Sequence, residues 1–237
     1  MEPVRIHKST SLSAARPDDA ALEKINRFTL EPLTAEQVFT FKATLCDTRI
    51  DRDGECFTKA ALARLKELFI GRTTIKDHMM SAENQIARIY DTELVRSGDD
   101  TELIAYCYMV RTSGNADLIA EISGGIKKEG SVSCAVSQRV CSICGKNNLQ
   151  TPCRHIAGRE YDGEICCKLL DSVEDAYEFS LVAVPAQRSA GIHKEAELPE
   201  EMPEEPQDDT QAVQALLLSA RAAACRAKYF TEQEEIT

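Results

Sequence analysis

The chain has 237 residues, 43% of them hydrophobic, enough for one globular domain of ordinary size with additional segments. Its net charge of −11 is the wrong sign for a nucleic-acid binder, which needs a basic face. No apolar run approaches the ~18 residues of a membrane-spanning helix, and the opening "MEPVRIHKSTSLSAARPDDAA" has no hydrophobic signal core. A soluble protein in a reducing cytoplasm is expected, so the ten cysteines read as thiols and metal ligands rather than disulfides.

Residues 1–35 are polar and weakly patterned, and read as a flexible N-terminal arm. In "VFTFKATL" (38–45), Phe39, Phe41, Ala43 and Leu45 alternate with Thr40, Lys42 and Thr44, the period of a half-buried strand. The following "DTRIDRDGE" invites a calcium-loop reading. With Gly54 at loop position six, however, positions one and twelve fall on Arg49 and Ala60, so a solvated turn is expected.

Thr58 is a plausible N-cap for a helix whose Ala61, Leu62, Leu65, Leu68 and Phe69 recur at helical spacing, ended by Gly71. "TTIKDH" leads to His78, then "QIARIYDTELV" and "TELIAYCYMVR" form a strand pair. "NADLIAEISGGIKK" predicts a helix with Leu118, Ile119, Ile122 and Ile126 on one face, weakened at Gly124 and Gly125. "GSVSCAVSQRV" and "YEFSLVAVPA" (177–186) are strands, the second closed by Pro185.

Residues 195–209 hold eight acids, three prolines and no base, an acidic disordered linker that leaves about −3 for the rest of the chain. "TQAVQALLLSARAAACRAKYF", within 210–237, reads as a C-terminal amphipathic helix. Strands that come in runs, with only two helices in the core from 36 to 194, point to an α+β fold with an antiparallel or barrel-like sheet.

Between the last two strands, residues 141–167 carry five of the ten cysteines and one of four histidines. Cys141-x-x-Cys144 places two thiolates on a tight turn that Gly145 permits, and Cys153-x-His155 supplies a second pair. Four soft ligands complete a closed tetrahedral structural zinc site, with Cys166 and Cys167 as alternatives to His155. A catalytic zinc would need an open position beside Glu160 or Glu164, which so full a ligand set does not leave. Arg139, Lys146, Arg154, Arg159 and Lys168 against Glu160, Asp162 and Glu164, with Tyr161 the one aromatic, make a thin nucleic-acid platform.

The order of features resembles the tailed-phage prohead (capsid maturation) serine protease family: "DTRIDRDGECFTKAALARL", "KDH", "GGIKKEGSVSCAV" and "YEFSLVAVPAQRSAGI", over residues 36–194. The resemblance implies an assemblin-like fold, a small barrel-like sheet surrounded by helices, with the cysteine segment as a zinc-knuckle insertion. It implies His78 as general base, Ser131 as nucleophile and Glu178 as the acid that orients the imidazole. Asp77, next to His78, is the weaker acid candidate. Where the family carries a glycine two residues after the serine, this chain has Ser133, an alternative nucleophile on the same strand face.

The expected activity is cleavage of major capsid protein and scaffold segments inside the assembling prohead, in the bacterial host cytoplasm. A homo-oligomer is compatible with this, and neither a membrane, nor nucleic acid, nor a catalytic cofactor is expected. The rival expectation, favoured by Ser133 in place of glycine, is a catalytically inactive zinc-stabilised scaffold or assembly protein of the same fold.

Overall fold

A computed structural model describes residues 16–193. The acidic linker, the C-terminal helix and the first fifteen residues of the expected arm lie outside the described residues. Among the described residues the fold is α+β: three short α-helices and ten strands, eight of them in one mixed, mostly antiparallel sheet.

The strands are β1 (Val38–Asp47), β2 (Glu55–Phe57), β3 (Thr73–Lys76), β4 (Ala87–Ser97), β5 (Asp100–Val110), β6 (Gly130–Cys141), β7 (Glu160–Tyr161), β8 (Glu164–Ile165), β9 (Lys168–Leu181) and β10 (Gly191–Ile192). The helices are α1 (Asp19–Asn26), α2 (Lys59–Leu68) and α3 (Ala116–Ser123). The main sheet runs β10-β1-β5-β4-β3-β9-β2, with β6 along the other edge of β9.

β9 organises this sheet. On one edge it pairs in parallel with β2 through Lys168–Leu170 and with β3 through Glu178–Leu181; on the other it runs antiparallel to β6 along almost its whole length. The expected barrel is not closed. Among the described residues no ladder joins β6 to β10: just before β6 there is an isolated bridge, Glu129 to Gly191, with Ile192 N–H donating to the Lys128 carbonyl at 2.6 Å and Gly130 N–H to the Ala190 carbonyl at 3.2 Å. A strand pair needs a ladder of such bonds, and β10 is only two residues long.

The alternation in β1 delivers Phe39, Phe41, Ala43 and Leu45 to the main core, where they meet Leu62, Leu65 and Phe69 on and just after α2 and Phe179 of β9. From Ala43 onward both faces of β1 are buried, beyond the expected half-burial. Thr58 caps α2, its side chain accepting from Ala61 N–H at 3.0 Å.

The polar arm contains α1, capped by Asp18, which lays Leu22 and Ile25 against Val38, Tyr90 and Tyr108 on the sheet's other face. Ile126 departs from its expected place. The helix stops at Ser123 because Gly124 caps it and Gly125 turns into the left-handed region (φ 73°), leaving Ile126 73% exposed.

The last long strand is shifted from 177–186 to 168–181. Beyond Leu181 the chain turns to clamp β1: Gln187 accepts from Asp47 N–H at 2.8 Å and donates to the Asp47 carbonyl at 3.2 Å. Among the described residues no helix is long and apolar enough to cross a membrane.

One close approach fixes β6 on β9. A Cβ at Gly130 would lie 2.1 Å from Phe179 Cζ, inside the volume of a fully buried ring. Gly130→Ala is therefore expected to cost about 1–3 kcal/mol, read as a lowered urea midpoint at unchanged m-value; an unchanged midpoint would contradict this packing.

Candidate functional site

Three strands converge on His78. β3 runs parallel to β9, with Thr73 opposite Glu178 and Ile75 opposite Ser180, and the chain leaves β3 in a tight turn. Asp77 and His78 both adopt left-handed backbone (φ 51° and 54°), a conformation that costs about 1–2 kcal/mol for a residue with a side chain. β9 holds this turn twice: Asp77 N–H donates to the Leu181 carbonyl at 3.0 Å, and His78 N–H to Ser180 Oγ at 2.9 Å.

Glu178 and Ser180 stand two residues apart on β9, so both side chains leave the same face. Ser180 takes the backbone of His78, and Glu178 Oε1 lies 2.7 Å from the imidazole Nδ1. Glu178 is fully buried, while the His78 side chain keeps 40% of its surface exposed. Glu178 Oε2 is buried with no hydrogen-bond partner among the described residues. With Glu178 as a carboxylate, the ring proton sits on Nδ1 and Nε2 keeps the lone pair.

β6 brings the serines. Ser133 pairs with Glu178 and Ser131 with Ser180, so both share the face of the acid and the histidine. It is Ser133 whose Oγ lies beside His78, 3.2 Å from Nδ1. A bulge directly after the Ser133–Glu178 pair leaves Tyr177 without a partner on β6, a device that re-aims side chains beside functional sites. Ser131 and Ser133 both line a cleft of about 510 Å³, with Leu45, Phe57, Met80 and Tyr177 among its walls. Asp77, the weaker acid candidate, is exposed on the turn.

At the opposite end of the β6–β9 ladder stands the cysteine cluster. The donor atoms of Cys141, Cys144, Cys153 and His155 all lie within 4.8 Å of one another. Gly145 makes the knuckle with a left-handed turn (φ 69°), its N–H donating to the Cys141 carbonyl at 2.9 Å. Tetrahedral ligands at ~2.3 Å from a zinc ion stand ~3.8 Å apart, and Cys141 Sγ to His155 Nδ1 is 3.7 Å. The set fits a closed metal site.

The alternative ligands are placed differently. Cys166 Sγ is 3.8 Å from Cys141 Sγ yet outside the four-donor group. Cys167 turns to Cys56 on β2, whose thiol hydrogen bond, helped by Ser142 and Lys168 against the effect of burial, holds it down at about 6. Burial works to raise Cys153, but contacts with the Asn148 side chain, the His155 backbone and the neighbouring thiols outweigh it and hold Cys153 at about 6. Burial pushes Cys107 up to about 12 and Cys134 up to about 11, so these behave as core thiols. Among the described residues all cysteines are free. Glu160 and Glu164 lie exposed on the β7–β8 hairpin.

Two residues with clear roles escaped sequence reasoning. Ser180 is visible only as the second member of the "E-F-S" spacing, and Lys168 only as one base among five. No known protein family, curated protein or solved structure matches the chain.

Ser180→Ala removes the acceptor for His78 N–H at a cost of about 1 kcal/mol. Hydrogen exchange at the His78 amide should run about fivefold faster, with the rest of β9 unchanged. An unaltered rate would show that the turn does not depend on Ser180.

Proposed function

We propose that the chain is a serine endopeptidase of the prohead maturation type, with Ser133 as nucleophile, His78 as general base and Glu178 as the orienting acid. The observation that carries this reading is one imidazole within 2.7 Å of a buried carboxylate and 3.2 Å of a serine hydroxyl, the histidine coming from the turn after β3, the acid from β9 and the serine from β6. A serine hydroxyl becomes a nucleophile when an imidazole removes its proton, and the imidazole needs an acceptor that fixes its tautomer. Glu178 has that role here, and its burial keeps water from competing for the carboxylate.

In the resting arrangement Ser133 and Glu178 share Nδ1, so Ser133 must reach Nε2 before it can hand over its proton. The half-exposed ring has room for that adjustment, and such contacts tighten when substrate is bound. The cleft and the neighbouring β6 suit an extended peptide: from Ser131 to Val136, the only strand paired with β6 among the described residues is β9. The substrates in this reading are major capsid protein and scaffold segments inside the assembling prohead.

The same shared nitrogen also favours a second reading, an inactive assembly protein of this fold. A fluorophosphonate probe with tryptic mass spectrometry separates the two. Wild type should be labelled at Ser133, Ser131→Ala should retain labelling, and His78→Ala and Glu178→Gln should lose it by at least about 10³-fold. Co-expression with major capsid protein should trim its terminus in the same order of variants. Label at Ser131 would exchange the nucleophiles, and neither label nor cleavage would leave the inactive reading.

We further propose that the Cys141, Cys144, Cys153 and His155 cluster holds structural zinc. Its lobe exposes Leu149, Ile156 and Ile165, so it has little apolar core, and metal binding would supply the folding energy it lacks. Metal analysis should give about one zinc per chain, lost in Cys144→Ser. A metal-free protein of equal stability would refute the site.

A further inference from the structure

Lys168 opens β9, paired with Glu55 of β2 on one side and Cys141 of β6 on the other. It is 4% exposed, an uncommon place for a lysine, which rarely leaves water without a partner. No carboxylate forms a salt bridge with it among the described residues. Its ammonium donates to the His155 carbonyl at 2.9 Å and lies 3.6 Å from Cys153 Sγ, so both contacts are with members of the metal-ligand set. The other cation lining the hollow beside Cys153 and His155 is Arg139, which is engaged by Glu55.

Three thiolates and a neutral imidazole around a zinc dication leave one net negative charge. A charge held beside a buried strand start is costly unless it is paired. We propose that Lys168 is the counter-charge of this metal centre: its buried ammonium neutralises the three-thiolate site and, by bonding the His155 carbonyl, holds the histidine segment against the sheet. This rests on the zinc reading of the cluster. Lys168 is thus a positioning residue; it is not a ligand.

The test is competition for zinc between the full chain and a chromophoric chelator, on wild type, Lys168→Met, Lys168→Gln and Lys168→Arg. Partners surrounding metal ligands commonly contribute about 10- to 100-fold in affinity. Lys168→Met should lose affinity in that range. Lys168→Gln, which keeps a donor for the His155 carbonyl without the charge, should stay weak, and Lys168→Arg should recover most of the loss.

Should Lys168→Met fail to fold, the comparison of Lys168→Gln with Lys168→Arg carries the same question. Wild-type affinity in Lys168→Gln would overturn the counter-charge and leave the zinc reading standing. A wild-type chain that binds no zinc would overturn both.

Discussion

The antiparallel ladder between β6 and β9 fixes both chemical ends of the molecule in one register. At one end it sets Ser133 opposite Glu178, and at the other Cys141 opposite Lys168. A slip of one residue would turn every side chain of β6 to the other face, taking Ser133 from His78 and Cys141 from its cluster together. The two bulges in β6–β9 pairing adjust local direction without disturbing that end-to-end correspondence. Gly130 against Phe179 and the Ser142–Cys167 contacts hold the ladder at its extremes, the latter with Ser142 N–H donating to the Cys167 carbonyl at 3.0 Å.

Against this rigid pair, the histidine sits on the one strained segment of the site. Two successive side-chain-bearing residues in left-handed backbone persist because β9 over-determines them with a carbonyl and a hydroxyl. The result is a ring whose root is fixed and whose edge is half in water, above an acid that is wholly buried. Such a contrast suits a group that must turn slightly while its partner stays still.

Much of this was legible in the sequence where pattern and burial agree. β1, α2 and the β4–β5 pair follow from alternation, helical spacing and the Thr58 cap, because their apolar residues recur at the period of the element even where, as in the second half of β1, both faces are buried. The helix α1 was missed because its buried side consists of Leu22 and Ile25 in a polar stretch, too few to set a period. β9 was misplaced because its first half alternates poorly around Asp171, Glu174 and Asp175. Asp171 and Asp175 pair with Gln138 and Ala135 of β6, Asp175 also meets Arg72, and Glu174 is passed over at a bulge, none of which shows without tertiary structure.

At the site, His78 and Glu178 are singled out only by what the resemblance implies, since locally they read as a histidine after a strand and a strand acid, whereas the choice between Ser131 and Ser133 depends on register across strands. Two serines at i and i+2 share a face, and nothing local says which one meets a histidine 55 positions from Ser133. Lys168 was hidden for a similar reason. A single lysine beside a cysteine pair reads as surface charge until its burial is known.

The parallel pairing of β3 with β9 has a consequence for how the molecule comes into being. His78 and Glu178 are 100 residues apart, and the strand between them in the sheet's chemistry, β6, lies midway along the chain. Contacts of such long sequence separation form late, after local elements have collapsed. On the ribosome, the segment bearing His78 emerges well before its acid, and until β9 has been made and docked the His78 backbone lacks its hydroxyl acceptor and the imidazole its carboxylate. The cluster around His78 thus stays unassembled until β9 emerges, and among the described residues the last long strand is the one that completes it.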